Sequence, residues 1–398
     1  MTVEIAPVGI TCNLGCTYCY QHPMRDAGNH GPNTIDWDKL MGELEKTGED
    51  FVLFGGEALL TPKKDIEKLF KYGYERFGRN DLQTNGVLLD EDHIELCKQY
   101  NGNLGFSIDG PDELNDLRWA GSLEKTRKNT QKSLSNLEWA INEGIEVGLI
   151  ITLHRVNAGT RERIDKLKEF LYWLDDININ SIRLHDLEVD TDLTARKHVL
   201  TDEEKISVFL EIAELQETIP SLHLDIFEDI RSLLNSSDVD SSCTWGACDP
   251  LNTQAVYEIS GNGTIANCGM VNKDGINWVK SEDRGYERYI ALYQTPQENG
   301  GCQGCRFWSM CRGQCPGSAT NGDWRNKSDG CQLWKSLFTH FENEILEKNE
   351  VVPFSLRPDL PLVEEHLLEA WKNGDELTLE DAIHLAESSN KRIQAKVK

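Results

Sequence analysis

Residues 3–19 read VEIAPVGITCNLGCTYC, a short apolar run of strand character that delivers three thiols, Cys12, Cys16 and Cys19, onto one loop. Thiolates are the ligands that iron–sulfur clusters require. Three of them on a four-iron cluster leave one iron open to a substrate or cofactor. A zinc ion with a distant fourth ligand is the other chemistry this spacing allows. Outward from this stretch, strand-like runs recur at DFVLFGG (50–56), LQTNG (82–86), LGFSIDG (104–110), EVGLIITLHR (146–155) and SIRLHDLEV (181–189). Between them lie WDKLMGELEKT (37–47), PKKDIEKLFKYGYERF (62–77), DEDHIELCKQY (90–100), SLEKTRKNTQKSLSNLEWAINEG (122–144) and TRERIDKLKEFLYWL (160–174). Their apolar residues recur every three or four positions, which predicts helices with one buried face. Strand–helix alternation implies parallel strands joined by right-handed crossovers. Six such units predict an α/β fold, either an incomplete parallel barrel or a doubly wound sheet, with its chemistry at the carboxyl ends of the strands.

The chain has 398 residues, 39% hydrophobic and 27% charged, with ten Trp. That composition supports a large buried core and a catalytic body with a smaller accessory domain. MTVEIAPVGIT lacks the basic and apolar segments of an export signal, and no apolar run reaches membrane-spanning length. A cytoplasmic protein with no membrane partner is expected. The net charge of −26 argues against nucleic acid, because neutralising phosphates needs a basic face. It reads as a solvated surface, with a slight bias toward a basic substrate through the summed field. Twelve Cys in a reducing compartment point to metal or catalytic chemistry rather than disulfides.

From Asn235 to Trp334 the pattern changes to short strands, turns and cysteines, the mark of a small metal-stapled domain. A helical pattern, LWKSLFTHFENEILEK (333–348), follows. The tail beyond Val351 carries Pro353, Pro358 and Pro361 and then LVEEHLLEAWKNG (362–374) and TLEDAIHLAESS (378–389), read as an appended helical cap that docks on the body. The expected domains are 1–234, 235–334 and 335–398.

CxxxCxxC with an aromatic residue, Tyr18, before its last Cys resembles the signature of the radical S-adenosylmethionine (SAM) enzymes. Other family landmarks follow in order. FGGEALL resembles the GGEP element at Gly55, Gly56 and Glu57, with Ala58 in place of Pro. Thr84, Asn85 and Gly86 resemble the TNG element, and Ser107, Ile108, Asp109, Gly110 and Pro111 the SxDGP element. The resemblance implies a partial (β/α)6 TIM-like barrel. It also implies that Glu57 receives the methionine ammonium beside closely approaching glycines, while Ser107 and Asp109 hold ribose hydroxyls. Tyr18, Asn85, His154 and Asn157 join this expected cofactor-binding set. Asp109, Arg183, His185 and Asp186 are the candidates for acid–base chemistry.

Cys302, Cys305, Cys311 and Cys315 form CxxCxxxxxCxxxC, preceded by Cys248 and Cys268 and followed by Cys331, a series that resembles the SPASM domain. Paired CxxC motifs also suit twin zinc ribbons, which would not account for the radical motif upstream. With Cys243 the count reaches eight, enough to ligate two four-iron clusters fully. By resemblance the first auxiliary cluster takes Cys243, Cys248, Cys268 and Cys315, and the second Cys302, Cys305, Cys311 and Cys331, making three [4Fe–4S] clusters in all. Cys97 remains, as a small buried residue.

The implied reaction starts when a flavodoxin- or ferredoxin-type reductant reduces the first cluster, which splits SAM into methionine and a 5′-deoxyadenosyl radical. That radical takes hydrogen from a substrate carbon, which is then oxidised or cross-linked. Ribosomally synthesised peptides come first among expected substrates; because the cluster motif begins at Cys12, any leader is expected to bind another surface, the tail after Val351 or a separate protein. A small-molecule dehydrogenase or epimerase is the main alternative, with Cys243 as hydrogen donor in the epimerase. Sulfatase maturation ranks lower, because those enzymes resemble one another in an Asp after the Cys matching Cys268, where this chain has Gly269. A non-catalytic metal scaffold ranks last.

Overall fold

The computed structural model describes residues 2–28, 34–187, 196–219, 221–239, 241–246, 248–249, 256–271, 285–348 and 351–397. The expected strand end at Glu188 and Val189 lies outside them. Two compact units emerge, one from 1–225 with 256–277, the other from 226–255 with 278–398.

The first unit is built on strands β1 (Thr2–Ala6), β2 (Phe51–Leu53), β3 (Asn80–Thr84), β4 (Gly102–Ser107), β5 (Val147–Leu153), β6 (Ser181–Asp186), β7 (Val256–Ser260) and β8 (Ile265–Ala266). Its helices are α1 (His22–Asp26), α2 (Trp37–Thr47), α3 (Lys63–Phe77), α4 (Glu91–Gln99), α5 (Leu123–Asn142), α6 (Arg155–Ala158), α7 (Arg161–Asp176) and α8 (Asp202–Thr218). The sheet runs β6-β5-β4-β3-β2-β1-β7-β8, parallel from β6 to β7. Because strands one to six sit in sequential order without a reversal, their right-handed crossovers carry the helices to one face. That excludes a doubly wound sheet and leaves the partial barrel. The helix-covered face is apolar and closed: Val3, Ile5, Leu53, Leu82, Leu104, Phe106, Leu149, Ile151, Ile182 and Leu184 are all buried. On the alternate positions, Glu4, Asp81, Gln83, Asn103, Ser107, Arg183 and His185 retain solvent access and give a polar inner face.

Two features depart from the periodic reading. β7, from the cysteine-rich stretch, pairs in parallel with β1 and places Glu258 beside Glu4. Helix α8 buries Lys205, Val208, Phe209, Ile212, Ala213, Leu215 and Gln216 on one face, but the polar Lys205 and Gln216 stand at its two ends and blur the apolar stripe. Its start is nonetheless a capping box between Thr201 and Glu204.

The second unit holds α9 (Asp225–Leu234, all but its first residue), α10 (Glu287–Gln294), α11 (Trp308–Cys311), α12 (Cys331–Lys348), α13 (Leu360–Lys372) and α14 (Leu379–Val397). The tail helix α13 inserts Trp371, which stacks on Tyr286 at 5.6 Å and meets Tyr289 and Trp308 at 5.7 and 5.6 Å. Trp245 packs edge-on to Trp334 and Phe338. Arg288 is fully buried and donates to the carbonyls of Trp324 and Asn326 at 2.7 and 2.9 Å, which ties the loops between the cysteines together without any regular element. Among the described residues no helix is long and apolar enough to cross a membrane.

Candidate active site

The loop of Cys12, Cys16 and Cys19 leaves the carboxyl end of β1 and is held by backbone bonds and by the buried Ile10 and Leu14. Gly15 N–H donates to Trp119 O and Thr17 N–H to Leu117 O, both at 2.7 Å, pinning the loop to the segment after β4. Cys12, Cys16 and Cys19 lie close enough to interact electrostatically. Burial pushes the Cys12 thiol up and Cys16 to about 12, with Arg118 opposing the rise at Cys16. Thiolates form at such positions only when a cation compensates, which suits iron as their partner.

Asp109, fully buried after β4, is the hub beneath this loop. Its carboxylate accepts from Tyr18 Oη at 2.5 Å, Arg118 Nη2 at 2.7 Å, Thr152 N at 3.0 Å and His154 Nε2 at 3.3 Å. Asn157 N–H donates to His154 Nδ1 at 3.2 Å, so the imidazole carries its proton on Nε2 and gives it to Asp109. Asn157 Nδ2 in turn bonds Asp109 O and Thr152 O. Burial alone would raise the Asp109 pKa, but the Arg118 guanidinium and His154 outweigh it and hold the carboxyl well below the usual range. Tyr18, Asp109, His154 and Asn157 thus converge in one network, completed by Arg118, which carries no sequence motif of its own.

Glu57, buried at the end of β2, accepts from Thr84 Oγ1 at 2.6 Å, Asn85 N at 2.8 Å and Leu59 N at 3.1 Å. Burial raises its pKa, and these bonds oppose the rise. The preceding glycines are required by space. A Cβ on Gly55 would lie 2.5 Å from Gly9 O, and one on Gly56 2.3 Å from Ile10 O, so a side chain there would collide with the loop leading to Cys12. Asn85 Nδ2 reaches Asn13 Oδ1 at 2.7 Å and Cys12 Sγ at 4.0 Å. Ser107, on the inner face, accepts from Gln83 Nε2 at 2.8 Å.

The remaining candidates diverge. Asp186 lies on the helix-covered side of β6 and pairs with Lys205 at 2.6 Å; burial raises its pKa to about 6. Arg183 pairs with Asp225 at 2.6 Å. His185 is open to solvent by area but hemmed in by protein, and that dehydration, with Arg183 and Arg118 nearby, lowers its pKa to about 4. Missed by sequence reasoning was the inner-face trio of Tyr20, Glu4 and Glu258. Burial raises Tyr20, to which Glu4 and Glu258 add, and burial pushes Glu258 to about 7. The available signal was the alternation in VEIA, which places a Glu opposite two apolar residues.

In the second unit Cys302, Cys305, Cys311 and Cys331 line one cavity with Trp308, Gln314, Lys327 and Trp334. Cys302 is pushed to about 12 by burial, with Cys305 and Cys331 adding to the rise. Cys243, Cys248 and Cys315 belong to this unit, whereas Cys268 follows β8 in the first. Tyr289 Oη donates to Cys248 O at 2.5 Å. Cys97 is buried in α4, its thiol raised to about 12. Among the described residues no three His, Cys, Asp or Glu side chains close on a point as ligands of one ion would.

The family model described as the radical SAM superfamily matches residues 7–168, from the loop before Cys12 through β5 into α7. Residues 7–168 carry a radical SAM domain. The family's cofactors are a [4Fe–4S] cluster and SAM. The chain is 37% identical over 171 residues to the serine-type anaerobic sulfatase-maturating enzyme of Bacteroides thetaiotaomicron, covering 39% of this chain and 40% of the other. The cysteine-type enzyme of Clostridium novyi is 21% identical over 85% of this chain and 94% of its own. In its matches with the first relatives the chain spans 40% of the Bacteroides enzyme and 35% of the Clostridium perfringens cysteine-type enzyme. The fold is similar to native anSMEcpe with bound AdoMet and Cp18Cys peptide, with a TM-score of 0.66 at 15% identity over 87% of this chain and 98% of that one. It is also similar to SuiB of Streptococcus suis bound to precursor peptide SuiA, with a TM-score of 0.55 at 17% identity over 83% and 75%.

Proposed function

We propose that this chain is a radical SAM enzyme of the SPASM type that oxidises or cross-links a side chain of a ribosomally synthesised peptide, using three [4Fe–4S] clusters and an external flavodoxin- or ferredoxin-type reductant in the cytoplasm. The observation that carries the reading is the Cys302, Cys305, Cys311 and Cys331 tetrad on one cavity. Four thiolates ligate a four-iron cluster completely, which leaves no iron for substrate and suits electron transfer. Cys12, Cys16 and Cys19 hold the radical cluster, and Cys243, Cys248, Cys268 and Cys315 the first auxiliary cluster, in a chain divided functionally at about residues 234 and 334. The peptide is supported by some of the relatives: several curated ones are named for sulfatase maturation, and two of the similar solved structures hold peptides.

Bound together, the radical cluster and SAM supply a radical able to take hydrogen from an unactivated carbon. The chain's own contribution is placement. Gly55, Gly56, Glu57 and Asn85 would hold the methionine end and Ser107 the ribose, while Tyr18, Asp109, His154 and Asn157 keep the loop in register. Asp109, Arg183 and Asp186 are each spent on partners, so His185, neutral at pH 7 and open on the inner face, is the base that takes the substrate's proton.

Anaerobic reconstitution with iron, sulfide, dithionite and SAM tests the reading. The expected products are 5′-deoxyadenosine and, with the cognate peptide, a mass lowered by two hydrogens. A loaded protein that forms no 5′-deoxyadenosine overturns it, and turnover of a small molecule but no peptide moves it to the dehydrogenase or epimerase class.

Identity with the Bacteroides enzyme favours a second reading, maturation of a sulfatase. Against it stands Gly269, where an added Cβ would meet Tyr20 Cε2 at 2.5 Å, so Tyr20 occupies the space an Asp side chain needs. Gly269→Asp is therefore expected to destabilise the chain by about 1–3 kcal/mol through overpacking. Chemical denaturation with and without Tyr20→Ala checks this, and equal costs in both backgrounds would remove the steric argument.

A further inference from the structure

Two side-chain donors in the Cys302, Cys305, Cys311 and Cys331 cavity are unaccounted for. Trp308 and Gln314 are 1% and 3% exposed, and neither Trp308 Nε1 nor Gln314 Nε2 has a hydrogen-bond partner. Both residues line the cavity. Leaving a buried N–H unpaired costs about 1–3 kcal/mol, so a fold retains two in one small cavity only where something there accepts from them. The backbone adds a cost of the same kind. Arg312, Gly313 and Gln314 have φ values of +51°, +73° and +62°, three consecutive left-handed residues of which two are not glycine. This turn places Gln314 between Cys311 and Cys315 and lets Gly313 N–H donate toward the Cys311 sulfur. Lys327 also lines the cavity and brings a cation to it.

An N–H bonded to a cluster sulfur withdraws electron density and favours the reduced, more negative form. We propose that Trp308 Nε1 and Gln314 Nε2 donate to sulfur of the auxiliary cluster held by Cys302, Cys305, Cys311 and Cys331 and set its reduction potential upward. The inference rests on the cluster assignment above. It makes both residues tuning residues that act through the cluster and touch no substrate.

The test is an EPR-monitored redox titration of the full-length reconstituted protein in a Cys12→Ala, Cys16→Ala, Cys19→Ala background, which removes the radical cluster's signal. Trp308→Phe keeps the ring and removes the donor; Gln314→Leu removes the amide at similar size. Each is expected to lower the midpoint. The double variant is expected to change the oxidised-to-reduced ratio at fixed potential about tenfold, roughly 59 mV for a one-electron couple. A four-iron cluster whose midpoint moves in neither variant overturns this inference and leaves the assignment standing. Zinc in place of iron at the tetrad overturns both. If one variant fails to load, the other decides.

Discussion

A Cys16→Ala variant is expected to form no 5′-deoxyadenosine while keeping most of its iron. Cys16 is the middle ligand of the loop, and its backbone carbonyl already accepts from Cys19 N–H at 3.0 Å and bonds His22 Nε2 at 2.6 Å, so the loop remains folded around the missing thiol. What disappears is a third of the ligation, and a four-iron cluster on two thiolates does not persist. Arg118 also loses a negative neighbour, since it acts on the Cys16 thiol as its strongest favourable charge. The second unit has its own core, built on Trp245, Trp308, Phe338 and Arg288. Iron should therefore fall from about twelve atoms per chain to about eight if three clusters are present. Product chromatography and iron analysis check both halves. Residual 5′-deoxyadenosine would remove Cys16 from the radical site, and complete loss of iron would show that the clusters load as one.

The parts of this site that were legible in the sequence are those whose residue types are unusual for their place. Cysteines on a strand exit, GG before a Glu, and SIDGP each break the pattern of an ordinary strand-to-helix turn, and the structure brings Tyr18, Asp109, His154 and Asn157 into one network. The six leading strands were legible because helices of 9 to 20 residues, α4 and α5 at the extremes, separate them with one-sided patterning. Arg118 was not, because an arginine in a polar stretch looks like any solvated charge until burial against Asp109 gives it meaning. The same holds for Gln314, whose importance lies in a missing partner. β7 was hidden for another reason: its pairing with β1 joins residues far apart in the chain, and no local pattern encodes such a register. Asp186 shows the reverse error, since one residue's difference in strand alternation turns it away from His185 toward Lys205.

Asp109→Asn is expected to be the most costly isosteric change in the first unit, at about 3–5 kcal/mol. Asn preserves the volume and removes the charge, which leaves the Arg118 guanidinium buried with 9% exposure, no counter-ion at that position and an Nε that already lacks a partner. One face of the new amide must also present N–H groups toward Tyr18, Thr152 or His154, all of which donate to Asp109. The Asp109 pKa is lowered in the folded state, so its contribution is present in full above the ordinary carboxylate value of about 3.9 and is lost only as pH falls below that. The gap between wild type and variant should accordingly be constant from neutral pH down to about 5 and narrow under more acidic conditions. Urea denaturation of the metal-free chain at several pH values measures it, and a gap under about 1 kcal/mol at pH 7 would mean that the network is not a structural hub. A cycle adding Arg118→Leu separates the two causes. If the cost is the stranded charge, the Asp109→Asn, Arg118→Leu double variant is more stable than Asp109→Asn alone, because removing both partners of a buried pair costs less than removing one. If the cost is the loss of the clamp on Tyr18, the second change returns nothing, and the cluster loop is then held by Asp109 through Tyr18.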